Sequence, residues 1–148
     1  QERNYHMFLN SIELHNFRCF ENLEVNFNNR LSVIVGVNGA GKTSILEAAT
    51  IAVGTFTSAM DGITNYGIKK QDAHNKYFNI GSVVDVQPQF PVEITAKGEV
   101  DEQKVQWLRS LNSANGRGSM ANAKELTRIA VRYQERMRNG DTDLILPL

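Results

Sequence analysis

Eight residues in the N-terminal third of the chain have the types and spacing of a phosphate-binding loop. The segment Gly36–Thr43 follows the pattern of glycine, four residues, then Gly-Lys-Thr. Glycines permit backbone angles that turn successive N–H groups towards one anion, and the N-terminus of a following helix adds a positive field. The pattern therefore predicts a site for the phosphates of a nucleoside triphosphate. The predicted binding residues are Gly36, Asn38, Gly39, Ala40, Gly41, Lys42, Thr43 and Ser44.

Lys42 and Thr43 add the chemistry that backbone amides alone do not supply. The Lys42 ammonium would reach the β- and γ-phosphates as a point charge, so it is the predicted catalytic residue. The Thr43 hydroxyl would be a ligand of Mg²⁺, a cation that prefers oxygen. ATP and Mg²⁺ are the expected cofactors.

The motif requires an apolar strand before it and a helix after it, and the sequence predicts both. Leu31–Val35 is almost continuously apolar, which is typical of a strand buried on both faces. A helix is predicted from Lys42 to about Val53, with so little polar surface that most of it should be buried.

The rest of the chain predicts an α/β protein in which an antiparallel β-layer packs on this strand–loop–helix core. Asn122 and Glu125 resemble a capping box at the start of an amphipathic helix, and Gly140 is a good terminator for it. Leu144–Leu148 reads as the start of a buried strand, so we expect the chain to be part of a longer protein. The other predicted elements are strands at 8–14, 23–27, 92–96 and 105–111, an irregular region with one short helix at 54–81, a loop at 112–119 and a helix at 122–138.

Composition restricts the function classes. The 148 residues are 41% hydrophobic and 22% charged, with zero formal net charge, so bulk charge gives no argument for nucleic acid or an anionic membrane. A single cysteine, Cys19, excludes an intrachain disulfide and fits a reducing, cytoplasmic setting. No apolar run is long enough to span a membrane. Residues 1–6 precede Met7 and are either native or a remnant of expression, which leaves 7–148 as the predicted domain.

Three stretches resemble a known class of proteins. Leu9–Phe20, with its Asn-Phe-Arg-Cys-Phe turn, is similar to the opening strand and turn of SMC, RecF and related ABC-type ATPases. Gly36–Ala48 is similar to their phosphate loop and first helix. More narrowly, residues 7–148 resemble bacterial AAA-type proteins described as predicted ATP-binding proteins involved in virulence, near the ATPases of Septu-type and retron-associated anti-phage systems.

The resemblance implies the N-terminal lobe of an ABC-type ATPase head, in which ATP is sandwiched between two subunits. It implies a homodimer driven by ATP binding, and a second half-site made of a Walker B acid pair and a signature serine, neither of which this sequence shows. It also places the turn at Arg18 near the nucleotide, where the arginine would contact phosphate or the adenine side; a surface arginine on a turn is the alternative.

Several other residues keep two readings. Gln71, Gln87 and Gln89 are candidates for a glutamine that coordinates Mg²⁺, or are solvated loop residues. Lys69 and Lys70 either contact nucleic acid or are solvent-exposed surface residues. The arginines at 128, 132, 136 and 138 are a DNA-facing stripe or a solvated helix face with acidic partners.

The predicted function is ATP binding and, in the full-length protein, Mg²⁺-dependent hydrolysis coupled to head dimerisation, in bacterial anti-phage defence. Two alternatives stay open. One is a repair ATPase of RecF or SMC type whose ATP state gates DNA binding. The other is a non-catalytic nucleotide sensor that regulates a nuclease or toxin partner.

Overall fold

The computed structural model describes residues 7–28, 31–59, 67–100 and 102–140. In chain order its elements are β1 (Met7–Phe17), β2 (Phe20–Asn26), α1 (Lys42–Ser58), a 3₁₀ turn (Lys70–Asp72), β3 (Asn75–Ile80), β4 (Val83–Pro88), β5 (Val92–Val100), β6 (Gln103–Leu111), β7 (Ser119–Ala121) and α2 (Lys124–Arg138). The predicted strands at 8–14, 23–27, 92–96 and 105–111 are confirmed and are somewhat longer than expected. Both predicted helices are confirmed as well: α1 extends five residues beyond the predicted end at Val53, and α2 begins two residues later than predicted.

The main sheet has five strands in the order β2-β1-β5-β6-β7, and every pair of neighbours is antiparallel. β1 pairs with β2 on one side and with β5 on the other. Ile12 of β1 lies opposite Val25 of β2 and opposite Ala96 of β5, and side chains along each strand alternate between the two faces of the sheet. Such a layer with one buried face confirms the predicted antiparallel β-layer.

The core lies between the sheet and α1, with α2 packed alongside. Trp107 of β6 is fully buried, and its Nε1 donates a hydrogen bond to the carbonyl oxygen of Ala52 in α1 (2.9 Å). Phe56 of α1 and Tyr133 of α2 meet edge to face with ring centroids 5.5 Å apart. The core therefore attaches α1, the helix that follows the phosphate loop, to the strands.

The expected strand at Leu31–Val35 is wrong for the described structure, which assigns no strand there. Leu31, Val33 and Val35 have exposures of 72%, 73% and 87%, and Leu46 on α1 is 58% exposed, so α1 is also less buried than predicted. A strand forms only when neighbouring strands satisfy its backbone groups. None of the described strands pairs with this segment.

Three further details differ from the sequence predictions. The region expected to be irregular ends in strand β3, which pairs with β4 as a separate two-stranded hairpin, because Gly81 at φ 64° permits a tight turn. The N-cap of α2 is Ala123, without a side-chain cap, so the capping box at Asn122 is wrong. β7 was not predicted, since three exposed residues carry no usable periodicity.

Gly140 has φ 83° and donates its N–H to the carbonyl of Met137 (3.1 Å), so its predicted role at the end of α2 is confirmed. The expectations for residues 1–6 and for a strand at 144–148 lie outside the described residues.

Candidate functional site

The phosphate loop, Gly36–Thr43, follows the segment 31–35 and reverses the chain in a short turn. Ala40 donates its N–H to the carbonyl of Val37 (3.2 Å), which closes that turn. Gly39 and Gly41 have φ angles of 85° and 92°, a region that residues with a Cβ rarely adopt. Two of the three loop glycines are therefore needed for the backbone path itself.

Helix α1 begins directly after the loop, at Lys42, with Gly41 as its N-cap. Ile45 donates its N–H to the carbonyl of Gly41 (3.0 Å), so the amides of Lys42, Thr43 and Ser44 precede the first intrahelical bond. The first turn contains no acidic side chain that would offset the positive end of the helix. Backbone geometry and helix field together have the features of an anion-binding helix end.

Lys42 folds back over the loop, and its Nζ donates a hydrogen bond to the carbonyl of Gly36. Asn38 and Thr43 are exposed, whereas Ser44 is half-buried. The structure thus brings the predicted residues of segment 36–44 together around one turn and one helix end. The Lys42 ammonium lies at the start of the same loop, on the Gly36 carbonyl.

The β1–β2 turn, which the family resemblance places near the nucleotide, packs directly on the loop, and the sequence did not predict this packing. A Cβ built on Gly41 would lie 2.7 Å from the Cys19 sulfur and would also collide with the Phe20 ring. The third glycine of the motif is therefore closely packed as well as conformationally special. Spacing along the chain carries no sign of this contact, because it joins residues about twenty positions apart.

Arg18 lies in that turn, where two carboxylates engage its guanidinium. Its Nε donates to Asp72 Oδ1 (3.0 Å), and its Nη2 forms an ion pair with Glu47 of α1. Partial burial alone would lower the pKa of Arg18, but the hydrogen bonds and charges of Asp72 and Glu47 outweigh it and raise that pKa. The predicted contact between Arg18 and a phosphate stays a prediction, and it would require exchange of one of these carboxylates.

Asp72, like Cys19 and Phe20, is a residue of this site that the sequence did not predict. It is 5% exposed, and its other carboxylate oxygen accepts the N–H of Lys69 (2.8 Å). It lies in a 3₁₀ turn after a stretch without periodicity, so no pattern marked it. Buried carboxylates are uncommon unless paired, and Asp72 is paired with Arg18.

The remaining candidates lie on the 3₁₀ turn beside Asp72 and at the end of the β3–β4 hairpin. Gln71 is exposed on the 3₁₀ turn, Gln87 is on β4 with its amide on Asp85 (2.7 Å), and Gln89 donates to the Gln87 carbonyl (2.9 Å). Lys69 and Lys70 are exposed next to Gln71. The roles of these residues in binding Mg²⁺ or nucleic acid stay predictions.

The charged groups of α2 and of the β5–β6 turn are more distant in the fold. Arg128 pairs with Glu125 one turn earlier on α2 (3.2 Å), as expected for a solvated helix face. Glu102, at φ 66°, is exposed in the turn between β5 and β6. No helix within the described ranges is long and apolar enough to cross a membrane.

Comparison with known proteins assigns this arrangement to a family. A family model described as "AAA domain" matches residues 11–145, nearly the whole chain. The DNA replication and repair protein RecF of Oenococcus oeni is 49% identical over 45 residues, which is 30% of this chain and 12% of that protein. Structural maintenance of chromosomes protein 6 of Saccharomyces cerevisiae is 40% identical over 65 residues, 44% of this chain and 6% of that protein.

Solved structures agree on the fold. A chain from work on ATP-driven dimerization and DNA-stimulated activation of SMC ATPases superposes with a TM-score of 0.57 at 19% identity, covering 84% of this chain and 78% of that one. The recombination mediator protein RecF gives a TM-score of 0.52 at 19% identity, over 78% of this chain and 26% of RecF. This chain therefore spans only a small part of the curated relatives it matches, and its fold is that of the N-terminal lobe of an ABC-type ATPase head. The family match includes the loop, the helix and the antiparallel layer, and the chain is a member of the AAA domain family.

Proposed function

We propose that the chain binds ATP with Mg²⁺ through residues 36–44, as the nucleotide-binding lobe of an ABC-type ATPase. The observation that carries this proposal is the joint placement of three features: a glycine turn with two positive φ angles, the open N-terminus of α1, and the Lys42 ammonium over the loop. Together they provide amide donors and one positive charge at the same point.

The donor set fits a triphosphate and its metal ion. The amides at the start of α1 would hold phosphate oxygens, Lys42 would neutralise the β- and γ-phosphates, and the exposed Thr43 hydroxyl would hold Mg²⁺. The metal would supply charge stabilisation as the phosphoryl group transfers. The part played by this chain is to bind and orient the triphosphate.

Hydrolysis needs groups that we propose are supplied elsewhere in the assembly: the Walker B carboxylates and a signature serine of a second subunit. The exposed apolar segment 31–35 supports this proposal, since further strands beside it would pair its backbone and bury the side chains of Leu31, Val33 and Val35. In this proposal residues 7–148 form the first part of a larger head, which works in the cytoplasm.

In the full-length protein, ATP binding would join two heads and hydrolysis would separate them. The SMC structure that shares this fold comes from work on ATP-driven dimerization and DNA-stimulated activation, which supports a homodimer and a role for DNA here. The RecF and SMC relatives favour DNA repair as the biological setting. The sequence resemblance to anti-phage ATPases supports a defence role with a nuclease or toxin partner, and ATP-dependent DNA binding without such a partner would count against it.

The test of nucleotide binding is titration with a fluorescent ATP analogue. Lys42→Ala should reduce the affinity at least about tenfold, because one charge-assisted contact to phosphate is lost. Lys104→Ala, which removes an exposed lysine from β6, is the matched control and should bind like the wild type. Equal affinities of the Lys42→Ala and wild-type proteins would refute the proposed site.

A further inference from the structure

Arg18 holds a backbone conformation that a residue with a Cβ rarely adopts, at φ 54°. Such a conformation persists only where the surroundings impose it. Here the constraints are hydrogen bonds to both of its peptide groups. The Arg18 N–H donates to the carbonyl of Asp72 (2.6 Å), and His74 Nδ1 donates to the carbonyl of Arg18 (2.6 Å).

The side chains add a second set of bonds to the same segment. Asp72 accepts Arg18 Nε with one carboxylate oxygen and the Lys69 N–H with the other, and it is buried. An isolated β-bridge between Phe17 and Ala73 continues the contact. The 3₁₀ turn and the residues that follow it thus hold the β1–β2 turn in place through both backbone and side-chain hydrogen bonds.

The same β1–β2 turn is the wall of the phosphate loop. Cys19 and Phe20 follow Arg18 directly and pack so closely on Gly41 that a Cβ there would collide with both. Arg18 also forms an ion pair with Glu47, one turn into α1. The path from Asp72 through Arg18 therefore reaches both the last glycine of the loop and the helix that supplies its amides.

We propose that Asp72, acting through Arg18, is a positioning residue for the phosphate loop: it holds the β1–β2 turn against Gly41 so that the amides at the start of α1 are aligned before nucleotide arrives. This proposal rests on the proposed ATP site. In this role Asp72 would act without contacting the phosphate, and half-buried Glu47 is the second anchor of the same arginine. Prealigned donors bind an anion more tightly because less ordering is needed on binding.

Substitution of Asp72 separates this role from direct binding of phosphate by Arg18, because the two roles predict changes of opposite sign. If Arg18 positions the turn, Asp72→Asn lowers the affinity for the fluorescent ATP analogue, by about tenfold for one lost charge-assisted bond. If Arg18 is itself a phosphate ligand, Asp72→Asn releases it and the affinity rises. A rise, or no change, would overturn the proposal.

Hydrogen exchange measured by mass spectrometry tests the coupling without nucleotide, so its result stands even if the wild type binds no ATP. Asp72→Asn should increase amide exchange in residues 17–20 and 36–44, while exchange in α2 stays unchanged. Glu47→Gln should do the same more weakly, and it decides the matter if Asp72→Asn fails to fold. Glu125→Gln, which breaks the Arg128 ion pair on α2, is the control. Unchanged exchange at the loop in both variants, or exchange raised equally throughout the chain, would contradict the proposed role.

Discussion

Two glycines of the phosphate loop share a backbone conformation but have different surroundings. Gly39 and Gly41 both have strongly positive φ, yet nothing lies within 4 Å of a Cβ built on Gly39, whereas Gly41 is packed on Cys19 and Phe20. At the scale of single residues the site therefore combines two requirements. One is backbone freedom, which the motif shows, and the other is close packing, which only the fold shows.

This difference predicts unequal effects of two matched substitutions. Gly39→Ala adds only the cost of a positive φ, about 1–2 kcal/mol. Gly41→Ala adds the same cost and a collision with the β1–β2 turn, so it should weaken ATP binding more and lower the unfolding midpoint further. Urea denaturation and ATP titration of both variants check this. Equal effects would mean that the contact with the turn does not constrain the loop.

Thr43 makes a separate prediction about the metal. Thr43→Ala should reduce affinity for Mg²⁺-ATP much more than affinity for ATP in EDTA, because only a hydroxyl ligand of the cation is removed. The comparison is one titration with Mg²⁺ and one with EDTA, with Thr50→Ala, which removes another exposed hydroxyl from α1, as the control. A loss of equal size under both conditions would assign Thr43 to the phosphate or to the fold.

At the scale of elements, the sequence predicted those parts of the fold that follow from local pattern. The alternation in β1, β2, β5 and β6 and the apolar face of α2 were sufficient, because each buries its own face within the described chain. The strand at Leu31–Val35 failed for the opposite reason, since its burial depends on strands that the described residues do not supply. The phosphate loop could be predicted because its residues are contiguous in the sequence, and its role in binding nucleotide stays a prediction. Asp72 was missed because its role arises from a contact with Arg18, 54 positions earlier.

The packing of α1 on the sheet predicts a large effect at Trp107. Trp107→Ala should lower the free energy of unfolding by about 3–5 kcal/mol, since a fully buried indole and its bond to Ala52 are lost. Urea denaturation followed by circular dichroism measures this. The control is Val131→Ala on the exposed face of α2, which should change the free energy of unfolding by less than about 0.5 kcal/mol. A small effect at Trp107 would show that α1 is held in place by other contacts.

At the scale of the whole molecule, the proposed function assigns nucleotide binding to this chain and hydrolysis to a larger assembly. The phosphate loop, Lys42 and Thr43 lie together here, and the exposed apolar side chains of segment 31–35 support further strands beside them. Removing preorganised charge-stabilising groups from an active site commonly costs about 10²–10³ in rate for each donor. We therefore expect binding and turnover to be separable: the chain of 148 residues should bind ATP weakly and should not hydrolyse it above background.

Isothermal titration calorimetry of the purified chain with Mg²⁺-ATP tests this central claim in one measurement. The predicted result is a weak but saturable heat of binding that is absent from Lys42→Ala, with the signal returning to baseline after every injection because no hydrolysis follows. Saturation indistinguishable between the two proteins would contradict the assignment of the phosphate loop. A continuous heat of reaction that disappears in Lys42→Ala would show that a complete catalytic site lies within this chain, and would contradict the account of a nucleotide-binding half-site.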